Sequence, residues 1–299
     1  MLGVMKYTLR AEVLNQCTTI ELSEKEFEDI RLARKTLNAA FALEEIYNLL
    51  LANYGELEVC TIQAATNEMI HWKVGYEDAF NVRNEINRRV INFLSTARLY
   101  VDQTQQWTRE AGGDPTLVKA ALSAQYDEFA EYRFIEALRN HAQHCGLAVH
   151  GVITQNTWLP KGQAEKLEIC VQPYAAKASL QADSKFKKTV LAECSDKVIL
   201  LPSIRRYVES IGHIQKVVRS QVEPHAVTAR AQLDSRISAY TVTVGNEVPG
   251  LVALAIKGDV TVERIPILVN WDDVRLKLLQ RNRSLSSLSR AYVTSRQTA

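Results

Sequence analysis

The sequence predicts a mainly α-helical protein: an antiparallel helical bundle with additional β-hairpins and a smaller α+β C-terminal part. Glycine and proline are scarce, with 12 and 7 residues among 299, whereas average usage would give about 20 and 15. Up to residue 146, apolar residues recur mostly at helical spacing. Beyond that point, short alternating segments separated by turn residues indicate strands.

The N-terminal half should consist of a hairpin followed by helices. Ser23 and Glu26 have the spacing of a capping box, which predicts a helix start, and Gly55 predicts its end. Asp114 and Pro115 predict a later start, with aspartate as the N-cap and proline in the first turn. The predicted elements are strands at residues 7–13 and 19–22 around a turn at 15–16, helices over 23–55, 76–110 and 114–146, and a segment over 56–72 that fits helix and strand equally well.

The C-terminal half should mix helices and strands. Period-two alternation predicts the strands, and Lys257, Gly258 and Asp259 form a typical hairpin turn. The serine- and arginine-rich tail has no acidic residue after Asp273 and is typical of a disordered segment. The predicted elements are strands at residues 147–154, 167–172, 239–244, 251–256 and 260–269, a turn at 160–162, helices over 203–222 and 272–281, and the tail over 282–299.

Charge divides the chain into two predicted domains, a helical one over residues 1–175 and a basic α+β one over 176–299. The first has 17 lysine and arginine residues against 23 acidic ones, a net charge of −6, and the second has 19 against 11, a net charge of +8. This asymmetry is compatible with a nucleic acid or another anionic partner, although taken alone it is explained more simply by a solvated basic surface. The candidate RNA contacts are Lys185, Lys187, Lys188, Arg205 and Arg206.

Several functional classes are excluded by what the sequence lacks. The five cysteines are far apart and form no C-x-x-C pair, which argues against a disulfide framework and a zinc ribbon. Phosphate-binding loops, dinucleotide-binding glycine motifs and the common hydrolase motifs are also missing. The longest apolar run is too short to cross a bilayer, and no signal-peptide core forms at the N-terminus. We therefore expect a cytoplasmic protein without a membrane partner.

Residues 131–146 combine an apolar helix face with a continuous polar stripe. At about 100° per residue, the polar residues of this segment gather on one side of a helix. They are Tyr132, Arg133, Glu136, Arg139, Asn140, Gln143 and His144. His141 and Cys145 fall on the apolar side, so we expect His141 to be packed or to cap the helix. Surface ion pairs between Glu136 and its arginine neighbours would explain the stripe without any function.

The run Arg139-Asn140-His141-Ala142-Gln143-His144 resembles the R-x(4–6)-H signature of the HEPN superfamily, in which asparagine commonly follows the arginine. The resemblance covers roughly residues 23–146. It implies a HEPN-like bundle and a homodimer in which two signature helices face each other across a cleft. Many members are metal-independent endoribonucleases of toxin–antitoxin, phage-defence and RNA-processing systems, and others only bind.

The resemblance implies a role for each polar residue of the signature helix. His144 would exchange the proton of the RNA 2′-hydroxyl, because histidine is the side chain that titrates near neutral pH. Arg139 would stabilise the charge on the phosphate, and Asn140 would position the phosphate or the imidazole. Glu136 would orient Arg139, and Arg133 would be a second phosphate contact.

Two other interpretations remain open at the level of sequence. One is a non-catalytic HEPN scaffold that binds RNA, a nucleotide or a protein partner, and the other is a plain helical protein with a surface stripe. No metal or cofactor is expected, since Cys145 faces the core and no cysteine–histidine pair follows at finger spacing. The expected partners are RNA, a second copy of the chain, and an antitoxin or regulatory protein.

Overall fold

The computed structural model describes residues 4–13, 18–71, 75–159, 166–245 and 249–294. Helices account for most of these residues, which confirms the mainly α prediction. The helices of the described residues are α1 (Glu24–Ile70), α2 (Tyr76–Glu110), α3 (Pro115–Glu128), α4 (Ala130–His144), α5 (Lys177–Gln181), α6 (Lys188–Glu193), α7 (Leu200–Val244) and α8 (Asp272–Arg281). Within the described ranges, no helix combines the length and the apolarity needed to cross a bilayer.

Two small antiparallel sheets accompany the helices. Their strands are β1 (Met5–Ala11), β2 (Thr19–Leu22), β3 (Gly151–Trp158), β4 (Leu167–Ala176), β5 (Lys197–Ile199), β6 (Leu251–Lys257) and β7 (Val260–Pro266). The strand orders are β2-β1-β6-β7 and β3-β4-β5. Gly258 has a φ angle of 62°, which confirms the predicted turn between β6 and β7. The predicted turns at residues 15–16 and 160–162 lie outside the described residues.

The chain forms two compact units, and each is assembled from separate stretches. The first consists of Met1–Glu45, Gln103–Val118 and Val217–Arg283, and the second of Ile46–Asp102, Lys119–Lys216 and Ser284–Ala299. In the first unit, β1 pairs with β6, so Leu9 lies opposite Ala253. The predicted boundary after residue 175 falls inside the second unit. That boundary followed the change in net charge along the sequence, and it stays a prediction.

Helix α1 begins where the capping box predicts and ends later than predicted. The backbone N–H of Glu26 donates to Ser23 Oγ over 3.2 Å, and the backbone N–H of Ser23 donates to Glu26 Oε2 over 2.8 Å. The predicted end at Gly55 is wrong, because the helix continues to Ile70. A glycine inside a helix costs only about 1 kcal/mol. The flanking Leu50 and Leu57 are fully buried, and their packing outweighs that cost.

Because Glu26 is held in this box, we expect the stability of the protein to fall between about pH 4.5 and pH 2. Hydrogen bonds from Ser23 and then Arg236 lower the pKa of Glu26 from 4.5 to about 2. A lowered carboxyl pKa stabilises the fold at higher pH, and this contribution is lost as the pH falls through the folded value. Thermal unfolding of Glu26→Gln should therefore depend less on pH over this range. The matched control is Glu45→Gln, at an exposed carboxylate of α1, and a constant wild-type-to-variant difference in Tm would contradict the prediction.

The predicted helix over residues 114–146 is divided in the structure into α3 and α4. Its start is confirmed, since Asp114 Oδ1 accepts a hydrogen bond from the Thr116 backbone N–H over 2.8 Å. The division occurs at Phe129, which has extended backbone angles. The Arg133 guanidinium donates to the carbonyl oxygens of Tyr126 (3.0 Å) and Asp127 (2.9 Å). These bonds satisfy carbonyl groups at the end of α3 that a continuous helix would have paired.

The predicted strand at residues 239–244 is wrong, because this segment is the last part of α7. The alternation of β-branched and apolar residues in this segment resembles a strand. Tyr240 is nevertheless buried, and its hydroxyl group both accepts and donates a hydrogen bond. That hydroxyl accepts from the Ala11 N–H over 3.1 Å and donates to the Thr18 carbonyl over 2.9 Å. These distant partners stabilise the helical conformation. The strands predicted around residues 147–172 are present, but β3 begins at Gly151 and β4 continues to Ala176.

The described part of the serine- and arginine-rich tail is ordered against α7. Ser284 Oγ donates to the carbonyl oxygen of Gly212 over 3.2 Å, and the Ser289 backbone N–H donates to Glu209 over 2.9 Å. A 3-10 turn spans Leu288–Arg290. Up to residue 294, the expectation of disorder is therefore wrong, because two α7 groups supply specific acceptors.

Candidate functional site

Helix α4 belongs to the second unit and carries its polar residues at three depths. Tyr132 is buried, the side chains of Glu136 and Arg139 are 18% and 12% exposed, and the polar residues of the last turn other than His141 are exposed. The exposed polar residues of that turn are Asn140, Gln143 and His144. The predicted apolar face packs into the core through Phe134, Ile135, Ala137 and Leu138. The polar stripe therefore begins in the interior of the second unit and ends at its surface.

The buried end of the stripe is attached to α7 by two tyrosines. The rings of Tyr132 and Tyr207 stack with their centroids 4.6 Å apart. The Tyr207 hydroxyl donates to Glu136 Oε1 over 2.7 Å. Burial, with the charge of Glu136, raises the pKa of Tyr207, so this hydroxyl keeps its proton and donates it to the carboxylate. Glu136 is thereby fixed from a second helix.

Arg139 is held along the helix axis by residues of its own helix. Its Nη1 donates to Gln143 Oε1 over 3.0 Å, and its Nη2 lies 3.7 Å from Glu136 Oε2. Its Nε is buried and has no hydrogen-bond partner among the described residues. The chain Tyr207–Glu136–Arg139–Gln143 therefore positions the guanidinium group and leaves part of its hydrogen-bonding capacity unused.

The surface end of the stripe is free to contact a ligand. Within the described residues, the side chains of Asn140 and His144 form no hydrogen bond or ion pair, and none joins the side chain of His144 to that of Arg139. His144 is the last residue of α4. The structure thus places a fixed guanidinium group and a free imidazole group on one helix end, without bringing them into direct contact.

Three predicted cationic contacts have internal partners instead. Arg133 binds the end of α3 and forms an ion pair with Glu193 at 3.1 Å. Arg205 donates to both carboxylate oxygens of Glu58, over 2.6 and 2.7 Å. Arg206 pairs with Glu209 at 3.1 Å, and its guanidinium group lies 4.8 Å from the centroid of the Phe129 ring. These side chains support the fold, and a phosphate would have to compete with carboxylates for them, so their role as phosphate contacts stays a prediction.

The three predicted lysine contacts lie on the surface. Lys185, Lys187 and Lys188 are all exposed, at and just before the start of α6. The Lys187 ammonium group donates to the Tyr126 hydroxyl over 2.7 Å. The prediction that these residues contact RNA stays a prediction, now limited to one short basic segment next to the α3–α4 junction.

A cluster that sequence reasoning did not find lies beside the same helix end. His141 is buried, as predicted, and its Nδ1 lies 2.9 Å from Asp183 Oδ2. Hydrogen bonds from His141 and Cys145 lower the pKa of Asp183 to about 2. Cys145 is exposed, which contradicts its predicted place in the core, because α4 ends at His144. The four-residue spacing of His141 and Cys145 was visible in the sequence, whereas nothing indicated Asp183.

A separate groove of about 780 Å³ lies between the end of α1 and the start of α2. Its walls include Val59, Gln63 and Ile86, and an ion pair joins Arg89 to Glu56 across it. None of the stripe residues lines this groove. It therefore does not contribute to the site on α4.

Comparison with protein-family models, curated proteins and solved structures finds no match for this chain. What points to a function is therefore the resemblance of residues 139–144 and the geometry of α4. The chemistry available there is a positioned cation, an amide and an exposed imidazole. That set suits a phosphodiester whose cleavage needs proton exchange and charge stabilisation.

Proposed function

We propose that the chain is a metal-independent endoribonuclease of HEPN type, with a toxin-like or phage-defence role, and that its second unit holds a HEPN-like bundle. The observation that carries the proposal is the fixed Arg139 on the same helix end as the free side chains of Asn140 and His144. A surface ion-pair stripe would not need Tyr207 to anchor Glu136 from another helix. Such support is typical of a residue that must be held in one orientation.

The proposed reaction uses the RNA's own 2′-hydroxyl as the nucleophile. His144 accepts its proton, the 2′-oxygen forms a bond to phosphorus, and the bond to the 5′-oxygen breaks. The leaving 5′-oxygen takes a proton from water. Arg139 stabilises the negative charge on the non-bridging oxygens, and Asn140 donates a hydrogen bond to the same phosphate. Glu136 acts only through Arg139, as a positioning residue.

The proposed active form is a homodimer. Arg139 and His144 are five residues apart, or about 140° around the helix. The guanidinium group also points along the axis, towards Gln143. A single helix therefore focuses the two groups poorly on one phosphate. Two α4 helices facing each other across a two-fold axis would supply both groups to one cleft.

The experiment that tests this function is incubation of the purified protein with total RNA in EDTA. We expect cleavage that leaves 2′,3′-cyclic phosphate and 5′-hydroxyl ends, because no water or metal-bound hydroxide attacks the phosphorus. RNA with a 2′-deoxy nucleotide at the scissile position should resist. Products that end in 3′-hydroxyl groups, or activity that Mg²⁺ restores after EDTA, would contradict the mechanism.

One observation favours the non-catalytic alternative, a scaffold that binds RNA, a nucleotide or a protein partner. Both terminal nitrogens of Arg139 already face side chains of the same helix. A phosphate must displace Gln143 or share the guanidinium group with it. Salt-dependent binding of RNA without any cleavage would identify the chain as this scaffold.

A further inference from the structure

We propose that His141, Cys145 and Asp183 form a zinc site at the C-terminal end of α4. One donor atom from each side chain lies within 4.8 Å of the other two. The three donors are an imidazole nitrogen, a thiol sulfur and a carboxylate oxygen, which are the ligand types that Zn²⁺ binds. This site is separate from the proposed ribonuclease chemistry and would have a structural role.

Two of the three ligands are held in place by the fold. The side chains of His141 and Asp183 are each 5% exposed, and Nδ1 and Oδ2 are 2.9 Å apart. The other carboxylate oxygen, Oδ1, accepts the Lys185 backbone N–H over 2.9 Å, which fixes the orientation of Asp183. Cys145 is the exposed third ligand, and its backbone N–H donates to the His141 carbonyl over 2.8 Å. The fold therefore holds His141 and Asp183 in place, and Cys145 is open to solvent.

The imidazole of His141 also has unused hydrogen-bonding capacity. Its Nε2 is buried and has no hydrogen-bond partner among the described residues. A Cβ at position 146 would lie only 3.2 Å from that nitrogen, so Gly146 keeps the space beside the ring open. Because Nδ1 faces Asp183, Nε2 is the nitrogen that would carry the ring proton when Nδ1 binds the metal.

The charges and protons balance for a divalent cation. His141 Nδ1 and Asp183 Oδ2 share one proton over 2.9 Å. On binding Zn²⁺, that proton would move to Nε2 of the neutral imidazole and the Cys145 thiol would release its own, so the thiolate and the carboxylate would neutralise the two positive charges. Zinc–ligand distances of about 2.0–2.3 Å in a tetrahedral site place the donors slightly farther apart than 2.9 Å, so His141 Nδ1 and Asp183 Oδ2 would separate a little on binding. Water can reach the fourth position because Cys145 is exposed.

The site would fasten the turn between α5 and α6 to the end of α4. Asp183 lies in that turn, where its carbonyl accepts the Phe186 N–H over 3.0 Å. The exposed lysines at residues 185, 187 and 188 follow directly. Zinc would thus hold the basic segment and the last turn of α4 in one arrangement without contacting RNA.

Cobalt is the probe for this site, since Co²⁺ replaces Zn²⁺ and absorbs strongly when bound to a thiolate. We expect the reduced full-length chain to bind one Co²⁺ with a thiolate charge-transfer band, and Zn²⁺ to abolish that band and raise Tm. Cys145→Ser should lose the band and weaken Zn²⁺ binding by more than the roughly 10–100-fold typical of outer-shell changes. The matched control is Cys170→Ser, at a half-buried cysteine of β4.

A second variant, Asp183→Asn, should keep the thiolate band but weaken Zn²⁺ binding, because the carboxylate charge is lost. Circular dichroism of both variants checks that the fold is intact. The proposal is wrong if wild type shows no band, if Cys145→Ser keeps it, or if Zn²⁺ raises the Tm of wild type and Cys145→Ser equally. None of these measurements uses RNA, so they succeed or fail independently of the ribonuclease proposal.

Discussion

Replacing Arg139 or His144 with alanine should reduce RNA cleavage by about 10²–10⁴-fold, the usual loss on removal of a general base or charge-stabilising group. His144 is exposed, and among the described residues the polar partners of Arg139 are the α4 side chains of Glu136 and Gln143, so neither change should unfold the protein. Single-turnover cleavage rates give the readout, with circular dichroism as the check on folding. Glu136→Gln should lower the rate less, because it acts only on the orientation of Arg139.

The matched controls are His213→Ala and Arg88→Ala, at an exposed histidine of α7 and an exposed arginine of α2. Both remove the same side-chain types away from α4 and should cleave like wild type. His141→Ala should harm stability more than chemistry, because it leaves Asp183 without its buried partner. A His144→Ala protein that cleaves at the wild-type rate would eliminate the proposed base.

Mixing the two inactive variants tests whether the site is shared between subunits. If Arg139 of one chain works with His144 of the other, a mixed dimer contains one intact site and one doubly altered site. Half of the dimers in an equilibrated mixture are mixed, so about a quarter of the wild-type activity should return. If each chain used its own pair, no dimer would contain an intact site, and the mixture would stay inactive.

Much of the fold could be predicted because the sequence features that mark helix ends and turns involve residues at most four positions apart. The Ser23–Glu26 box, the Asp114 cap and the Gly258 turn each depend on near neighbours, and each is present in the structure. The break at Phe129 could not be predicted in this way. No glycine or proline marks it, and it is compensated by the Arg133 guanidinium group, whose reach to the end of α3 depends on the broken geometry itself.

The sequence was enough to predict which face of α4 carries the candidate site, but not which residues its side chains contact. Helical periodicity placed Arg139, Asn140 and His144 on the polar side of α4 and His141 on the buried side, as the structure has them. It could not show that Tyr207 anchors Glu136 from 71 residues away. A periodic pattern gives the direction of a side chain, whereas its partner depends on tertiary packing.

In the first unit, the contacts of the acidic pair at the start of α8 were likewise not predictable from the sequence. Asp272 and Asp273 were expected simply to begin a helix, and they do. Asp272 is nevertheless fully buried, and its carboxylate accepts from Arg275 over 2.6 and 3.1 Å and from Arg230 over 2.9 Å. Arg275, itself 1% exposed, also donates to Glu223 over 2.7 Å. A buried ion network therefore fastens α8 to α7.

Arg275→Ala should be among the most destabilising single changes in the first unit, with a loss of about 3–5 kcal/mol in the free energy of unfolding. The loss is large because Asp272 stays buried while its bidentate partner disappears. Urea denaturation measures it, and the matched control is Arg264→Ala, whose ion pair with Glu12 is largely exposed and should be worth about 0–1 kcal/mol. Since the two buried groups are coupled, Arg275→Ala with Asp272→Ala should cost less than the sum of the single changes. Equal costs for Arg275→Ala and Arg264→Ala would show that the buried network does not stabilise the unit.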